Sequence, residues 1–336
     1  MLGFTFSQTK VCTIGSGTRD VFIKSTHFEK QKDPSSPTGF DACFPLGSKI
    51  NLDNVIFETG GGATNAAVTF ARSGIKTSCI CRVGDDDNGK TIKKVLNNDK
   101  VQTDYIQTDH NAQTGYSVIL LSGTGQRSIL VYRGASRSIN AQTIPWSKFS
   151  KTWFYLTSLG GNRSALKTII NNVNKQNCKL AWNPGNAELA QGLDKLQLYF
   201  KQTDILIMNR EEAASVCGCK PTLLKKIFNT LGKLPRIALV ITDGPKGAYA
   251  HDCPNNKTYY TKALPGKRIN TTGAGDAFGS AFTASIIKTN DIKLALAAGS
   301  INSLGVITNM GAKAGLFKEF PGIKKLSRIK ISLAKL

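Results

Sequence analysis

The stretch Asn270-Thr271-Thr272-Gly273-Ala274-Gly275-Asp276 runs straight into a segment in which apolar residues recur at three- and four-residue intervals. That spacing predicts a helix. We expect Thr272 to cap this helix, and Gly273 and Gly275 to let an anion approach backbone N–H groups without a Cβ in the way. The carboxylate of Asp276 then lies where a hydroxyl must lose its proton. The stretch predicts phosphoryl transfer, although an ordinary capped helix after a glycine turn has the same composition.

A second glycine cluster, Gly60-Gly61-Gly62-Ala63-Thr64-Asn65-Ala66-Ala67, also precedes a helical pattern, which stops at Gly74. Such a junction is again a place where a ligand can come close to the backbone. Two separated junctions of this kind favour a binding site over two unrelated helix starts.

The two junctions resemble the signatures of the ribokinase family, also called PfkB-type carbohydrate kinases. That family has one helix start with the pattern Gly-Gly-x-x-x-Asn and another with the pattern Thr-Gly-Ala-Gly-Asp. Four further stretches resemble family elements in the expected chain order, and the resemblance covers nearly the whole chain. They are Ile14-Gly15-Ser16-Gly17-Thr18-Arg19-Asp20, Val83-Gly84-Asp85-Asp86-Asp87-Asn88-Gly89, Met208-Asn209-Arg210-Glu211-Glu212 and Thr242-Asp243-Gly244-Pro245-Lys246-Gly247.

The resemblance implies an ATP-dependent kinase that uses Mg²⁺ and moves a phosphoryl group to a hydroxyl of a sugar or sugar acid. It implies Asp276 as the catalytic base, with the backbone of Gly273, Ala274 and Gly275 as the anion hole. The other implied site residues are Asp20, Gly60, Gly61, Asn65 and Arg133 for the sugar, Asn209, Thr242, Gly244, Gly247 and Gly275 for ATP, and Glu212 for magnesium, indirectly. Two alternatives stay open: Asp20 as a strand-end residue that caps a turn, and Glu212 as a carboxylate favoured by a helix dipole.

The fold class that follows is α/β: a three-layer α/β/α ribokinase-like core with a parallel-dominated central sheet, plus a small β-sheet lid. We expect a single catalytic domain over 1–336, with lid segments at about 18–52 and 113–135. The lid hairpin is predicted at 117–121 and 128–132, across the turn Gly123-Thr124-Gly125-Gln126. Buried strands are predicted at 77–83, 151–159, 179–182, 204–208 and 237–242, and helices at 163–176 and 221–231.

Composition limits the other classes of protein. The chain has 336 residues, a 40% hydrophobic content and no apolar run near the roughly 20 residues that span a bilayer, so we expect a cytoplasmic protein without a membrane partner. The net charge of +22 comes from lysines spread along the chain. This distribution favours a solvated surface that attracts anionic metabolites, and no nucleic-acid partner is expected because no base-reading motif is evident. The basic stretch 323–331 is expected to form a terminal helix on the core, the alternative being an amphipathic helix on a membrane or nucleic acid.

Two departures from the family, at Asn270 and in the strand 155–161, which lacks the acidic residue that some ribokinases place near its end, limit what the resemblance implies, and Arg133 bears on specificity. Many relatives have an aspartate at the position of Asn270, where it helps to organise a potassium site, and the amide argues against a monovalent cation here. Arg133 lies in a Tyr-Arg segment similar to those of relatives that act on acidic sugars, so it either pairs with a substrate carboxylate or closes the lid as a surface residue. A nucleoside kinase is an alternative, with Phe40, Phe44 and Tyr116 as candidates for the wall around a base. A family member that binds without turnover is a further alternative, and a homodimer through the lid is expected from the resemblance.

Overall fold

The chain folds around one large mixed sheet with helices on both faces. The structure is a computed structural model, and it describes residues 9–36, 39–121 and 127–336. The strands are β1 Lys10–Ile14, β2 Thr18–Lys24, β3 Glu29–Lys32, β4 Phe40–Cys43, β5 Asn54–Gly60, β6 Lys76–Ile80, β7 Arg82–Gly84, β8 Gln107–Asp109, β9 Gly115–Leu121, β10 Arg127–Tyr132, β11 Thr152–Leu156, β12 Lys179–Trp182, β13 Ile205–Asn209, β14 Ala238–Thr242, β15 Ala248–Asp252, β16 Lys257–Thr261 and β17 Ser332–Leu333. The helices are α1 Gly62–Arg72, α2 Asp87–Asn98, α3 Arg163–Lys175, α4 Asn186–Leu189, α5 Leu193–Lys201, α6 Arg210–Val216, α7 Leu224–Leu231, α8 Ala274–Thr289, α9 Ile292–Ile307 and α10 Ile323–Leu326.

The large sheet has the strand order β17-β16-β15-β14-β13-β12-β11-β1-β6. The six strands from β6 to β14 run parallel, and β15, β16 and β17 extend the sheet antiparallel at one edge. Because parallel strands need helical crossovers, helices cover both faces, and the strand interiors are accordingly apolar. The expected three-layer α/β/α core is confirmed.

Two apolar clusters fill the space between the sheet and its helices. On one face, Trp182 of β12 packs in a cluster with Phe200 of α5 and Ile169 of α3, all fully buried. On the other face, Phe282 of α8 packs in a cluster with Ile207 of β13. Because the strands are parallel, their carboxyl ends lie at the same edge of the sheet. Ligands bind at this edge in open α/β sheets.

A separate four-stranded sheet with the order β10-β9-β2-β5 covers that edge. Its strands β9 and β10 pair antiparallel from Tyr116 opposite Tyr132 to Leu121 opposite Arg127, as the alternation predicts. Residues 37, 38 and 122–126, including the expected hairpin turn, lie outside the described residues. The edge strand β5 also belongs to the lid, although it lies beyond the segment 18–52 that the sequence analysis assigned to it. The prediction missed this strand because its pairing with β2 is long-range and leaves no local signal.

Two local predictions differ from the structure. The expected strand 77–83 is two strands, because the chain leaves the large sheet after Ile80 and β7 pairs instead with β8. The expected terminal helix over 323–331 is only the single turn α10, and Ser332 then pairs with Tyr260 of β16. Leu326, Ile329 and Ile331 of this segment pack in one apolar cluster with α9, so the segment does lie on the core although it is not a continuous helix. No helix in the described ranges has the length and apolar character needed to cross a bilayer.

Candidate active site

The helix α8 begins with Gly273 in the left-handed conformation, at φ 80°. A Cβ on this residue would lie 2.5 Å from the Cβ of Ala312, so both the backbone angle and the space require glycine. The prediction that Thr272 caps the helix is wrong: Gly273 occupies the N-cap position and no side chain caps α8. No capping side chain uses the first N–H groups of the helix, and the Ala274 N–H makes only a long hydrogen bond of 3.3 Å to the Thr271 carbonyl oxygen, so these groups are suited to an anion.

Two cavities are lined by different residues of this helix start. One, of about 290 Å³, is lined by Thr272, Gly273 and Asp276 together with lid residues. The other, of about 200 Å³, is lined by Ala274 and Gly275 together with β14 and α9. We call them the acceptor cavity and the donor cavity. The two cavities share no lining residue, and residues of the glycine loop line both of them.

Asp20 forms the lid side of the acceptor cavity. It lies within β2 rather than at a strand end, is 5% exposed, and accepts a hydrogen bond of 2.9 Å from Thr18 Oγ1. Burial raises the pKa of the Asp20 carboxyl above its ordinary value, with the nearby Lys313 charge opposing that rise. A Cβ at Gly60 would coincide with the Asp20 carboxylate, so the glycine is what leaves room for this carboxylate beside the backbone.

Asp276 and Asn65 meet across the floor of the acceptor cavity. Asn65 Nδ2 donates a hydrogen bond of 2.9 Å to Asp276 Oδ2, joining the first turn of α8 to α1. Gly61, at φ 95°, makes the turn into α1, where a Cβ would clash with the Ser16 carbonyl oxygen. Burial raises the pKa of the Asp276 carboxyl, and the bond from Asn65 opposes that rise. Desolvation is the largest of these effects, and it makes the carboxylate a stronger base.

Lys313 is a site residue that the sequence analysis missed. Its side chain is 5% exposed, and Nζ donates to Asn65 Oδ1 at 2.6 Å and to Thr64 Oγ1 at 3.0 Å. One lysine in a chain with 44 lysines and arginines carries no distinguishing signal. The only local hint is its position in the otherwise small and apolar run Gly311-Ala312-Lys313-Ala314-Gly315.

The donor cavity is lined on one side by the turn after β14. Thr242, Gly244 and Gly247 all line it, as the resemblance implies, opposite the apolar side chains of Phe278 and Leu304. Gly247 has φ 109°, and a Cβ there would coincide with the Thr261 carbonyl oxygen. The cavity is thus a slot between an apolar wall and a polar turn, and it ends at the amides of the glycine loop.

Asn209 and Glu212 form a reciprocal capping box at the start of α6. Asn209 Oδ1 accepts from the Glu212 N–H, and Glu212 Oε2 accepts from the Asn209 N–H, both at 2.8 Å. Burial raises the pKa of the Glu212 carboxyl. These hard oxygen donors are of the kind that Mg²⁺ prefers, but two of them already accept backbone hydrogen bonds. The pair fits an indirect contact with a hydrated Mg²⁺ and does not fit a direct ligand cage.

Asn270 is a buried amide at the position where the resemblance places an aspartate. It is 4% exposed, and the hydrogen bond from the Thr272 N–H identifies the accepting atom as Oδ1. Its Nδ2 is buried without a hydrogen-bond partner in the described part of the chain. An amide N–H group cannot coordinate a cation, and the amide carries no compensating charge.

Arg133 also lines the acceptor cavity, at the end of β10. Its side chain is exposed, with Nη1 beside Gly160, and its carbonyl oxygen accepts from Ser136 Oγ at 2.5 Å. The guanidinium therefore lies at the exposed border of the cavity, near the loop that follows β11.

The sequence as a whole matches a known family. Residues 9–318 match the model of the pfkB family of carbohydrate kinases. The chain belongs to this family. It is therefore an ATP-dependent carbohydrate kinase, as the two glycine-to-helix junctions predict.

Relatives of the PfkB chain support the same assignment. A ribokinase of Haemophilus influenzae is 24% identical over 278 residues, covering 80% of this chain and 88% of the relative. A 5-dehydro-2-deoxygluconokinase of Bacillus licheniformis is 25% identical over 268 residues, covering 74% and 80%. The solved structure of Arabidopsis thaliana ribokinase complexed with ribose and ATP superimposes with a TM-score of 0.73 at 20% identity, covering 96% of this chain and 98% of that one. The ribokinase fold is thereby confirmed.

The PfkB fold brings most of the predicted site residues to the two cavities. The acceptor cavity collects Asp20, Gly61, Asn65, Arg133 and Asp276, with Gly60 directly behind Asp20. The donor cavity collects Thr242, Gly244, Gly247, Ala274 and Gly275. Asn209 and Glu212 line neither cavity, but Asn209 is the register partner of Thr242 at the end of the neighbouring strand.

Proposed function

We propose that this chain transfers the γ-phosphoryl group of ATP to a hydroxyl of a sugar or sugar acid, with Asp276 as the catalytic base and the Gly273–Gly275 backbone as the anion hole. The observation that carries the proposal is that one glycine loop lines two separate cavities. In-line transfer needs a donor and an acceptor on either side of the migrating group, with N–H groups beside it.

On the donor side, the adenine nucleotide lies between the Thr242–Gly247 turn and the apolar side chains of α8 and α9. The N–H groups of Ala274 and Gly275 then contact the phosphate that is transferred. Charge develops on its outer oxygens in the transition state, so amides fixed in advance stabilise that state more than the ground state. Asn209 and Glu212 would hold the Mg²⁺ that accompanies ATP indirectly, and the metal would supply neutralisation of phosphate charge.

On the acceptor side, Asp20 and Asn65 bind sugar hydroxyls and place one hydroxyl beside Asp276. Asp276 accepts the proton of that hydroxyl as the new bond forms, and it also holds the oxygen in line with the phosphorus. The lid sheet covers the cavity, which limits transfer to water. These steps use only groups that line the acceptor cavity. We expect the reaction to take place in the cytoplasm, where ATP and free sugars are found.

The acceptor class is a sugar or a sugar acid, and the relatives named above include kinases for both. A nucleoside kinase is the second candidate, because Ile119, Ile129 and Val131 give the cavity an apolar wall. The aromatic candidates fit less well: Phe40 and Phe44 are more than 40% exposed, and Tyr116 lies on the face of β9 opposite Ile119. The apolar wall is therefore aliphatic, and offers no ring on which a base would stack.

A coupled assay of ADP release tests the proposed function. The purified protein is offered ribose, fructose, 2-keto-3-deoxygluconate, sugar phosphates and nucleosides, each with Mg·ATP. We expect acceptor-dependent ADP release with at least one sugar or sugar acid. Release with nucleosides alone would favour the second candidate, and no acceptor-dependent release with any of them would contradict both.

Arg133→Ala is expected to raise the KM for acidic sugars about tenfold and to leave the KM for neutral sugars unchanged, because a guanidinium pairs with a carboxylate but not with a hydroxyl array. Steady-state kinetics with one substrate of each class measures the effect. Arg137→Ala is the matched control, since Arg137 is exposed in the same turn but does not line the cavity. Equal losses with both substrate classes would reduce Arg133 to a lid residue.

Activity is expected to be independent of potassium, because the Asn270 amide presents a donor where a cation needs an acceptor. Exchange of K⁺ for tetramethylammonium at constant ionic strength should change kcat by less than about twofold. A large drop in kcat that K⁺ alone restores would show that a cation site exists despite the amide.

The outer face of the lid carries exposed apolar side chains, among them Phe57, Leu130 and Tyr132. Register places them on the face opposite the acceptor cavity, next to Arg19. A second copy of the chain seated on this face would remove them from water. A homodimer through the lid stays a prediction, which sedimentation velocity of the purified protein checks: a monomer at micromolar concentration would contradict it.

A further inference from the structure

Lys313 lies in the loop after α9 and points into the protein between the lid and the core. Its Nζ makes three hydrogen bonds: to the Thr59 carbonyl oxygen at 2.7 Å, to Thr64 Oγ1 at 3.0 Å and to Asn65 Oδ1 at 2.6 Å. Its own carbonyl oxygen accepts from Arg72 Nη1 at 3.1 Å, which fixes the loop against α1. The side chain thereby connects the lid strand β5 with the helix that carries Asn65.

Three acceptors match the three N–H groups of a charged ammonium. A neutral amine has only two, so the full set of bonds requires the charged form. The bond to Asn65 Oδ1 also decides which way the Asn65 amide faces. Since its oxygen faces Lys313, its Nδ2 must face Asp276, as the bond of 2.9 Å between them shows. Lys313, Asn65 and Asp276 thus form one directed chain of hydrogen bonds.

The titratable groups around the ammonium belong to four different elements. Asp20 of β2, Glu58 of β5, Asp276 of α8 and Cys79 of β6 all interact electrostatically with Lys313. Burial raises the pKa of the Asp20, Glu58 and Asp276 carboxyl groups. The positive charge of Lys313 opposes that rise in all three. A buried cation is costly unless it is paired, so the acidic cluster and the lysine support each other's charged forms.

We propose that Lys313 is a positioning residue of the phosphoryl-transfer site, whose buried ammonium fixes the orientation of the Asn65 amide and, through it, holds Asp276 as an ionised base. The proposal rests on the proposed function, because it takes Asp276 as the group that accepts the proton of the sugar hydroxyl. No sequence motif marks Lys313 for this role.

A pH dependence follows from the two charges. Burial lowers the pKa of the Lys313 ammonium to about 8, while the carboxylates around it oppose that fall. As the pH rises through this value the ammonium loses a proton, one of its three bonds is lost, and kcat should decline. At low pH kcat declines because Asp276 becomes protonated. Burial raises the pKa of Asp276 and the Lys313 charge opposes that rise, so the decline begins at a lower pH than it would without Lys313.

Two variants separate orientation from charge. Lys313→Met removes both, so kcat should fall about 10- to 100-fold, the acid limb should move to higher pH, and the alkaline limb near pH 8 should disappear. Lys313→Gln restores a neutral N–H donor toward Asn65 without the charge. It should therefore recover part of kcat while keeping the displaced acid limb. The KM for ATP should be unchanged in both, since the donor cavity contains neither Lys313 nor Asn65.

Lys288→Met is the matched control. Lys288 is half-buried in the last turn of the same helix as Asp276, about 18 Å along its axis. Its removal also deletes one positive charge, but it should leave kcat and both limbs of the pH profile as in the wild type. A displacement of the acid limb equal to that of Lys313→Met would show a general charge effect and overturn the proposal.

A carbon-13 titration of the aspartate carboxyl groups, without any acceptor, gives a readout that does not depend on turnover. Asp276→Asn assigns the Asp276 signal. In Lys313→Met the pKa of Asp276 should be higher than in the wild type by about one pH unit. An unchanged Asp276 titration overturns the proposal, whether or not the protein is a sugar kinase. If the titration moves as expected while no acceptor supports ADP release, the proposed function fails and the Lys313 network stands.

Discussion

Asp276→Asn is expected to leave the fold and ATP binding intact and to lower kcat by about 10²- to 10⁴-fold, the usual contribution of a positioned general base. An asparagine in this place keeps an oxygen that can accept the hydrogen bond from Asn65 Nδ2. It cannot accept the proton of the acceptor hydroxyl. The loss should therefore appear in kcat, measured by ADP release at saturating ATP and acceptor, and not in the dissociation constant of ATP, measured by calorimetry.

Asp291→Asn provides the control for Asp276→Asn. Asp291 caps α9 by accepting from the N–H groups of Lys293 and Leu294, and asparagine caps a helix about as well. This variant makes the same chemical change outside both cavities, so its kcat should equal that of the wild type. Turnover by Asp276→Asn within a few-fold of the wild type would count against Asp276 as the base.

Gly273→Ala and Gly275→Ala are expected to fail in different ways, although both lie in the glycine loop. Gly273 has φ 80°, and a Cβ would lie 2.5 Å from the Cβ of Ala312. Gly273→Ala should therefore reduce the free energy of unfolding by about 1–3 kcal/mol from backbone strain alone, and kcat should fall with it because the loop moves. Thermal unfolding and kcat, measured on the same preparation, check both effects.

Gly275→Ala is the contrasting variant. A Cβ at Gly275 meets no protein atom within 4 Å, so the free energy of unfolding should change by less than about 0.5 kcal/mol. The methyl group would occupy the edge of the donor cavity, where a phosphate must approach the backbone, so kcat should fall about 10²-fold, comparable to loss of one oxyanion-hole donor. Full activity in Gly275→Ala would mean that no phosphate comes close to this part of the chain. Unchanged stability in Gly273→Ala would contradict the loop geometry.

Local patterns predict the rigid parts of this protein well. The strand β12 at Lys179–Trp182 has the predicted bounds, and α3 starts at Arg163 as the apolar periodicity indicates. The glycine loops are predictable for the same reason, because Gly61 and Gly273 are needed for backbone angles that other residues rarely adopt. These features depend on residues that are close together in the sequence, so local sequence patterns can predict them.

Long-range pairing explains what the sequence does not reveal. The strand β5 joins the lid because it pairs with β2, and Ser332 of β17 pairs with Tyr260 of β16. Lys313 reaches Asn65 across 248 positions of sequence. Thr272 fits the usual composition of an N-cap, yet Gly273 takes that place since only glycine adopts the turn against Ala312. In each case a tertiary contact, absent from local composition, decides the outcome.

A crystal structure of the protein with ADP, Mg²⁺, a phosphoryl transition-state mimic such as aluminium fluoride and the acceptor found by the ADP-release assay tests the central claim most directly. The account predicts the nucleotide between the Thr242–Gly247 turn and Leu304, the mimic against the N–H groups of Ala274 and Gly275, and an acceptor hydroxyl within hydrogen-bond distance of the Asp276 carboxylate. A mimic that lies away from those amides, or an acceptor hydroxyl that points away from Asp276, would contradict it.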